Sequence, residues 1–293
     1  MWQKPVKFAN RIARIEVFMT YETILFEKRG AIGLLTFNRP ERLNAFNQKL
    51  MDEANQQLDL IEADDDIRVL VVAGAGRAFS AGFDLKESAG RPWNTVADVT
   101  PVLKRDFEFI MRFWHFSRPT IAAVQGYALA GACELALACD ITVAAEGARF
   151  GEPELRFGSG IVALLMPWFT GPKKAKEFLL TGNDKIEAAE ALACGLVNRV
   201  VPAGEELPTA IGIAREIAVN DRIKVAMTKR AINRSYETMG LLAALDMGLD
   251  TDIQIEALET PEGRMFREIR NRDGLKAAIA WRDARFADPA GDA

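Results

Sequence analysis

The stretch GYALAGACELALACD, residues 126–140, decides how the chain is read. It follows an apolar run at 121–124 that reads as a buried strand. It then passes through the small residues Ala128, Ala130, Gly131 and Ala132. From 133 to 139 it continues as an Ala/Leu-rich run with one charge, Glu134. Strand, tight turn and buried helix is the pattern. A helix N-terminus carries N–H groups without intrahelical acceptors and a partial positive charge. Side chains this small let a foreign oxygen approach that backbone. The segment therefore predicts an oxyanion or phosphate site, with a carboxylate one turn further in. The same residues would also serve close packing alone, with Glu134 complementing the helix dipole.

Working outward, 23–28 and 32–38 are β-rich runs split by Arg29-Gly30, a hairpin signal. Helical spacing follows over 43–62, then a short strand at 69–73. The segment RAFSAGFDLKE, 77–87, turns through Ser80, Ala81 and Gly82, and predicts a second turn-to-helix junction at Ala81-Gly82-Phe83. Residues 88–100 are polar and read as a surface loop, and 102–116 as an aromatic-rich helix. A strand at 141–145 precedes a loop at 149–155 that carries Glu152 and Glu154. Helices at 173–180 and 188–193 and a strand at 197–201 complete the alternation. The remainder reads as helical, with breaks near Asn220, Gly240 and Pro261-Glu262-Gly263. Strands alternating with helices, then helices alone, make this an α/β fold with a helical C-terminal part. The expected division is an N-terminal extension at 1–18, an α/β core at 19–202 and a helical region at 203–293.

The 293 residues are 49% hydrophobic, enough for a large core, and the net charge of −4 with no long basic run argues against nucleic acid as a partner. Cys133, Cys139 and Cys194 lack metal-ligand spacing and read as reduced core thiols of a cytoplasmic protein. No apolar stretch approaches the ~20 residues of a membrane span, so no membrane is expected as a partner. Several features are read as decoys. Gly74-Ala75-Gly76 lacks the third glycine of a dinucleotide fingerprint. His115, the single histidine, reads as a packed or partly exposed helix residue, and Asp64-Asp65-Asp66 as a solvated turn. The aromatics Phe107, Phe109, Phe113 and Trp114 read as core or subunit interface.

Two small-residue turns can each aim a backbone N–H at one oxygen, and a pair of such donors makes an oxyanion hole. Two carboxylates, Glu134 and Glu154, can split proton duties, one taking a proton from water and the other giving one to carbon. Glu154 would alternatively serve as a turn or cap residue after Pro153.

RAFSAGFDLKE and GYALAGACELALACD, in this order, resemble the two signature segments of the crotonase (enoyl-CoA hydratase/isomerase) superfamily. LTFNRPERLNAFN (35–47) resembles that family's first CoA-contact segment, and ARFGEPELRFG (148–158) the one carrying its second catalytic glutamate. LLTGNDKIEAAEALACGLVNRVVP (179–202) and DGLKAAIAWRDARF (273–286) resemble its late αβ segment and C-terminal helix. The resemblance implies a right-handed spiral of ββα units with C-terminal helices that drive assembly into a homotrimer or a homohexamer of paired trimers. It implies an enoyl-CoA hydratase, a lyase of fatty acid metabolism, with no metal or redox cofactor and CoA as part of the substrate. The oxyanion donors would be the N–H groups of Phe83 and Gly131. Glu134 would activate water, and Glu154 would protonate the α-carbon. Ala81, Phe83, Asp84, Leu85, Lys86 and Gly131 would line the CoA thioester and pantetheine, Glu41, Arg42 and Leu43 the adenine side, and Phe286 would close it. Isomerisation or C–C bond lysis or hydrolysis on acyl-CoA is the alternative, and a non-catalytic binding module or a nucleotide-dependent oxidoreductase stands further off. Phe83 stands where the family more often has Ala. The 158–166 stretch departs from the usual Gly-rich pattern, so an unusual acyl group is one reading and simple repacking another.

Overall fold

Alternate side chains of a strand face opposite ways, and in this chain both faces are apolar. The computed structural model describes residues 21–87 and 95–287. The expected extension at 1–18 lies outside the described residues. In chain order the elements are β1 (Ile24–Arg29), β2 (Ile32–Phe37), α1 (Gln48–Ala63), β3 (Val69–Gly74), α2 (Val96–His115), β4 (Thr120–Val124), β5 (Tyr127–Leu129), α3 (Gly131–Ala138), β6 (Ile141–Ala145) and β7 (Arg149–Gly151). There follow α4 (Met166–Thr170), α5 (Pro172–Leu180), β8 (Ile186–Glu187), α6 (Ala188–Ala193), β9 (Arg199–Val201), α7 (Glu206–Val219), α8 (Arg222–Thr238), α9 (Leu241–Ala257), α10 (Pro261–Asp273) and α11 (Leu275–Ala287). Short 3₁₀ turns lie at Pro40–Arg42 and Glu154–Phe157.

The main sheet has the order β1-β2-β3-β4-β6-β9, parallel except for the β1–β2 hairpin. Ile32, Leu34, Val69, Val71, Ile121, Ala123 and Val143 face one way and pack on Ala210, Ile211, Ile213 and Ala214 of α7. Their neighbours Leu35, Phe37, Leu70, Val72, Ala122, Val124 and Ala144 face the other way, into the larger core. A second, small sheet has the order β5-β7-β8. Thus β4 and β6 lie in the main sheet, while the strands that directly follow them, β5 and β7, lie in the small one. Strand, strand, helix is the repeating turn of the spiral.

Several boundaries differ from the sequence expectations. The helix expected from 43 starts at Gln48, because Leu43 and Asn44 take positive φ (50° and 54°) and Asn47 caps the helix by accepting from the Leu50 N–H at 3.0 Å. The polar stretch at 88–100 is not loop throughout. Thr95 and Asp98 form a capping box, and α2 begins at Val96 and runs through Pro101. β5 and β7, read as turn and loop, are strands of three residues each, too short to show alternation. The break expected near Pro261 falls at 258–260, with Pro261 at N1 of α10, and Gly274 adds a further break between α10 and α11. Among the described residues, Ala81-Gly82-Phe83 leads into a turn at 85–87 and not into a helix, so only Gly131 stands at a helix start. No helix among the described residues is long and apolar enough to cross a membrane.

Asn44 ties the 39–46 segment to the loop after β3. Its Nδ2 donates to the carbonyls of Ala75 and Ala78, both at 2.8 Å, and its Oδ1 accepts from the Arg39 N–H at 2.8 Å. The side chain is fully buried. Asn44→Ala strands buried carbonyls and puts a Cβ-only residue at φ 54°, so it should cost about 3 kcal/mol of stability in urea unfolding. A loss below about 1 kcal/mol would contradict this role.

Candidate active site

The site is set by a register. Ser80 pairs in parallel with Ala128, its N–H donating to the Tyr127 carbonyl at 3.0 Å and its carbonyl accepting from Leu129 at 3.2 Å. Two residues further along each segment, Gly82 meets Ala130. A Cβ on Gly82 would stand 2.7 Å from both the Ala130 Cβ and the Leu129 carbonyl, and 3.2 Å from the Gly131 nitrogen. Only glycine fits, and its φ of +83° suits glycine as well. The N–H groups of Phe83 and Gly131 are therefore neighbours. Among the described residues, neither donates to a protein acceptor.

Ala130 sits at φ 55°, ψ −136°, a conformation that costs a non-glycine residue roughly 1–3 kcal/mol. The Gly151 carbonyl holds it there, accepting from its N–H at 2.8 Å. The strain lies at the residue that aims the Gly131 N–H outward from the start of α3. The Phe83 ring packs over the Gly131 Cα and edge-on to Phe46, with ring centroids 5.9 Å apart.

Glu134 and Glu154 come together beside this junction, both buried, and among the described residues the Oε2 of each lacks a hydrogen-bond partner. Glu134 Oε1 accepts from the Ala163 N–H at 2.9 Å. Burial pushes the Glu134 carboxyl well above its usual range, and the neighbouring Glu154 pushes it further. Burial pushes Glu154 up to about 8. Pro153, not Glu154, stands at the N-cap of the 3₁₀ turn, and the Glu154 carboxyl faces its own backbone N–H.

Glu152, quoted in the sequence only as part of a pair, is 1% exposed, with its Oε2 unpartnered. Burial raises its carboxyl, Glu134 and Glu154 add to that, and its remaining contact is the buried Cys133 thiol. Asp252 of α9, 2% exposed, faces the same region and was missed. It occupies the buried stripe of Leu241, Leu245, Leu249 and Ile253, so an acid at an apolar helical position was the signal available.

The other expected residues form one wall. Arg39 pairs with Asp84 at 3.1 Å and also donates to the Ala45 carbonyl. Phe46 N–H donates to the Gly82 carbonyl at 2.8 Å, and Ala81 N–H to the Leu43 carbonyl at 2.9 Å. Leu43, Ala81, Asp84 and Leu85 are half-buried along this wall, with Glu41, Arg42 and Lys86 exposed. Asn44, Arg39 and Ser80 organise the wall and were not singled out. The Phe286 ring, near the end of α11, lies 4.6 Å from the Arg156 guanidinium. Phe109, Phe113 and Trp114 are core, and Asp64, Asp65 and Asp66 pair with Lys28 and Arg222 at the surface. His115 is exposed at the end of α2.

A family model described as enoyl-CoA hydratase/isomerase matches residues 27–271. A probable enoyl-CoA hydratase of Mycobacterium bovis is 39% identical over 228 residues, covering 75% of this chain and 84% of that protein. The mitochondrial enoyl-CoA hydratase of Pongo abelii is 33% identical, covering 92% and 89%. The crystal structure of an enoyl-CoA hydratase/isomerase from Xanthobacter autotrophicus Py2 superposes with a TM-score of 0.89 at 51% identity, covering 91% of this chain and 99% of that one.

The buried carboxyls couple folding to pH. In the unfolded chain Glu154 titrates at its ordinary value of about 4.3, whereas in the folded protein it keeps its proton up to about 8. Its contribution is fully present below the unfolded value and is lost as pH rises through the folded one. Stability should therefore fall across this window, by up to about 1.4 kcal/mol per pH unit for one proton. Urea unfolding of Glu154→Gln at pH 5, 6, 7 and 8 should give a shallower decline than the unsubstituted protein. Equal declines would contradict a proton held by Glu154.

Proposed function

The chain belongs to the enoyl-CoA hydratase/isomerase family, of crotonase architecture, and from that premise we propose that it hydrates the α,β double bond of an enoyl-CoA thioester. The observation that carries this reading is the placement of two buried glutamates beside two neighbouring N–H groups, where among the described residues one oxygen of each carboxyl has no hydrogen-bond partner and neither N–H has a protein acceptor. As water adds at the β-carbon, charge grows on the thioester oxygen. The Phe83 and Gly131 N–H groups receive it, and the start of α3 adds a favourable dipole at Gly131 alone.

Two close carboxyls in a dry site resist ionising together, so when Glu134 is ionised Glu154 keeps its proton. Glu134, fixed by the Ala163 N–H, takes a proton from water. The water oxygen bonds to the β-carbon, and Glu154 gives its proton to the α-carbon. The proton gained by Glu134 then returns to Glu154. Atoms balance with water alone, so no metal or redox cofactor enters the proposed reaction. Backbone at Ala81, Phe83, Asp84, Leu85, Lys86 and Gly131 would border the thioester and pantetheine. Glu41, Arg42 and Leu43 would border the adenine, and Phe286 would reach that side from a neighbouring subunit.

α8 supports a homotrimer, or a homohexamer built from two. It has no buried residue, and Ile223, Met227 and Ile232 are 63%, 66% and 55% exposed. An apolar face of this kind marks an interface. The free cysteines fit a reducing compartment, and we place the protein in the cytoplasm.

Glu134→Gln and Glu154→Gln should each lower kcat for crotonyl-CoA hydration by about 10²–10⁴, with 3-hydroxyacyl-CoA as the product of the unsubstituted enzyme. Unchanged turnover in either variant refutes the mechanism, and a shifted double bond without hydroxyacyl product replaces hydration by isomerisation. Light scattering should report three or six chains, and Met227→Glu should dissociate them. A monomer in the unsubstituted protein removes the assembly.

A further inference from the structure

The loop at 159–163 joins the two glutamates. At its start, the Ser159 N–H donates to the Glu154 carbonyl at 3.1 Å. At its end, the Ala163 N–H donates to Glu134 Oε1 at 2.9 Å. Between them the backbone lies against α9. A Cβ on Gly160 would collide with Asp252 Oδ1, and would stand 2.9 Å from the Asp252 Cγ and 3.2 Å from its Cα. Glu256, one turn further along α9, lies beside the Ser159 side chain and the Gly160 N–H; Asp252 meets Gly160 by close packing, and among the described residues neither of its carboxyl oxygens has a hydrogen-bond partner.

A carboxyl buried on the apolar stripe of a helix is costly unless something requires it. We infer that Asp252 and Glu256 are positioning residues for hydration: they hold the backbone at Ser159 and Gly160 so that the Ala163 N–H keeps the Glu134 carboxylate in its working orientation. This rests on the hydratase reading for its kinetic consequences, but not for its structural ones. Neither α9 carboxyl touches the reacting atoms. Each acts through the loop, whose far end is bonded to Glu134.

The charges around Asp252 come from every packed element. They are Asp106 on α2, Glu134 on α3, Glu154 on its 3₁₀ turn and Glu256 on α9 itself, with Arg267 of α10 facing Glu256. Burial pushes Asp252 up to about 8, with Glu256 and Asp106 contributing, so near neutrality it is largely a neutral acid. As it ionises, its negative charge opposes ionisation of Glu154 and keeps the proton on the proposed acid.

Asp252→Asn keeps the shape and removes the charge. Asp252→Leu removes the oxygens that face Gly160, and Glu256→Gln weakens the grip on Ser159. Kinetics on crotonyl-CoA from pH 6 to 10 and hydrogen–deuterium exchange of the ligand-free protein test the inference together. Asp252→Asn should keep KM within about threefold and move the alkaline limb of kcat to lower pH. Asp252→Leu should lower kcat at least tenfold with little change in KM, and should speed amide exchange across 160–163 at least tenfold. Glu256→Gln should speed the same exchange to a smaller extent. Unchanged exchange in both Asp252→Leu and Glu256→Gln overturns the inference, as does an unshifted limb in a folded Asp252→Asn. Faster exchange in a protein whose unsubstituted form hydrates no enoyl-CoA upholds the grip and defeats the hydratase reading instead.

Discussion

Everything at the centre of this molecule depends on how closely Gly82 passes Ala130. The parallel pairing of Ser80 with Ala128 fixes the register, and the missing side chain at 82 lets the two backbones approach. The register is a period-two constraint. A slip of one residue would turn Gly82 away and put a bulky neighbour into the gap. The geometry of two adjacent N–H groups is thus inherited from strand pairing in the interior and not from the loops that display them.

A second constraint opposes the first in energy. The core that stabilises the spiral also encloses Glu134, Glu152, Glu154 and Asp252, all nearly inaccessible to solvent. Ionising such groups in low dielectric is unfavourable, and neighbouring acids raise them further. The fold tolerates them by keeping protons where solution chemistry would remove them. Local rules broken at a cluster and obeyed elsewhere are what a functional site looks like in a stable protein. The strained Ala130 backbone belongs with these exceptions.

β2, β3, β4 and β6 of the main sheet were legible because they are mainly apolar and five or six residues long, as in Thr120–Val124 and Val69–Gly74. β5 and β7 were not, since three residues carry no period and their partners lie far along the chain. α1 was placed too early because Leu43 fits the apolar spacing, while its left-handed conformation is imposed by contacts with the later loop. Glu134 and Glu154 were legible through motif resemblance, and their proximity follows from the packing of separate elements. Asp252 and Asp106 were available in principle, as acids on apolar helical stripes, but a single acid on a stripe gives no sign of what it faces. Asn44 drew no notice because its role lies in three hydrogen bonds to distant backbone.

The ring of Phe83 rests on the Cα of Gly131, where any side chain would strike it. Positions 83 and 131 are therefore not free to vary one at a time. While an aromatic occupies the first, the second admits only a hydrogen. Shrinking the first to a methyl removes the ring atoms that a side chain at 131 would meet first. Divergence at this pair must proceed in a set order, ring first and glycine after, so the mutational path through the site is directional.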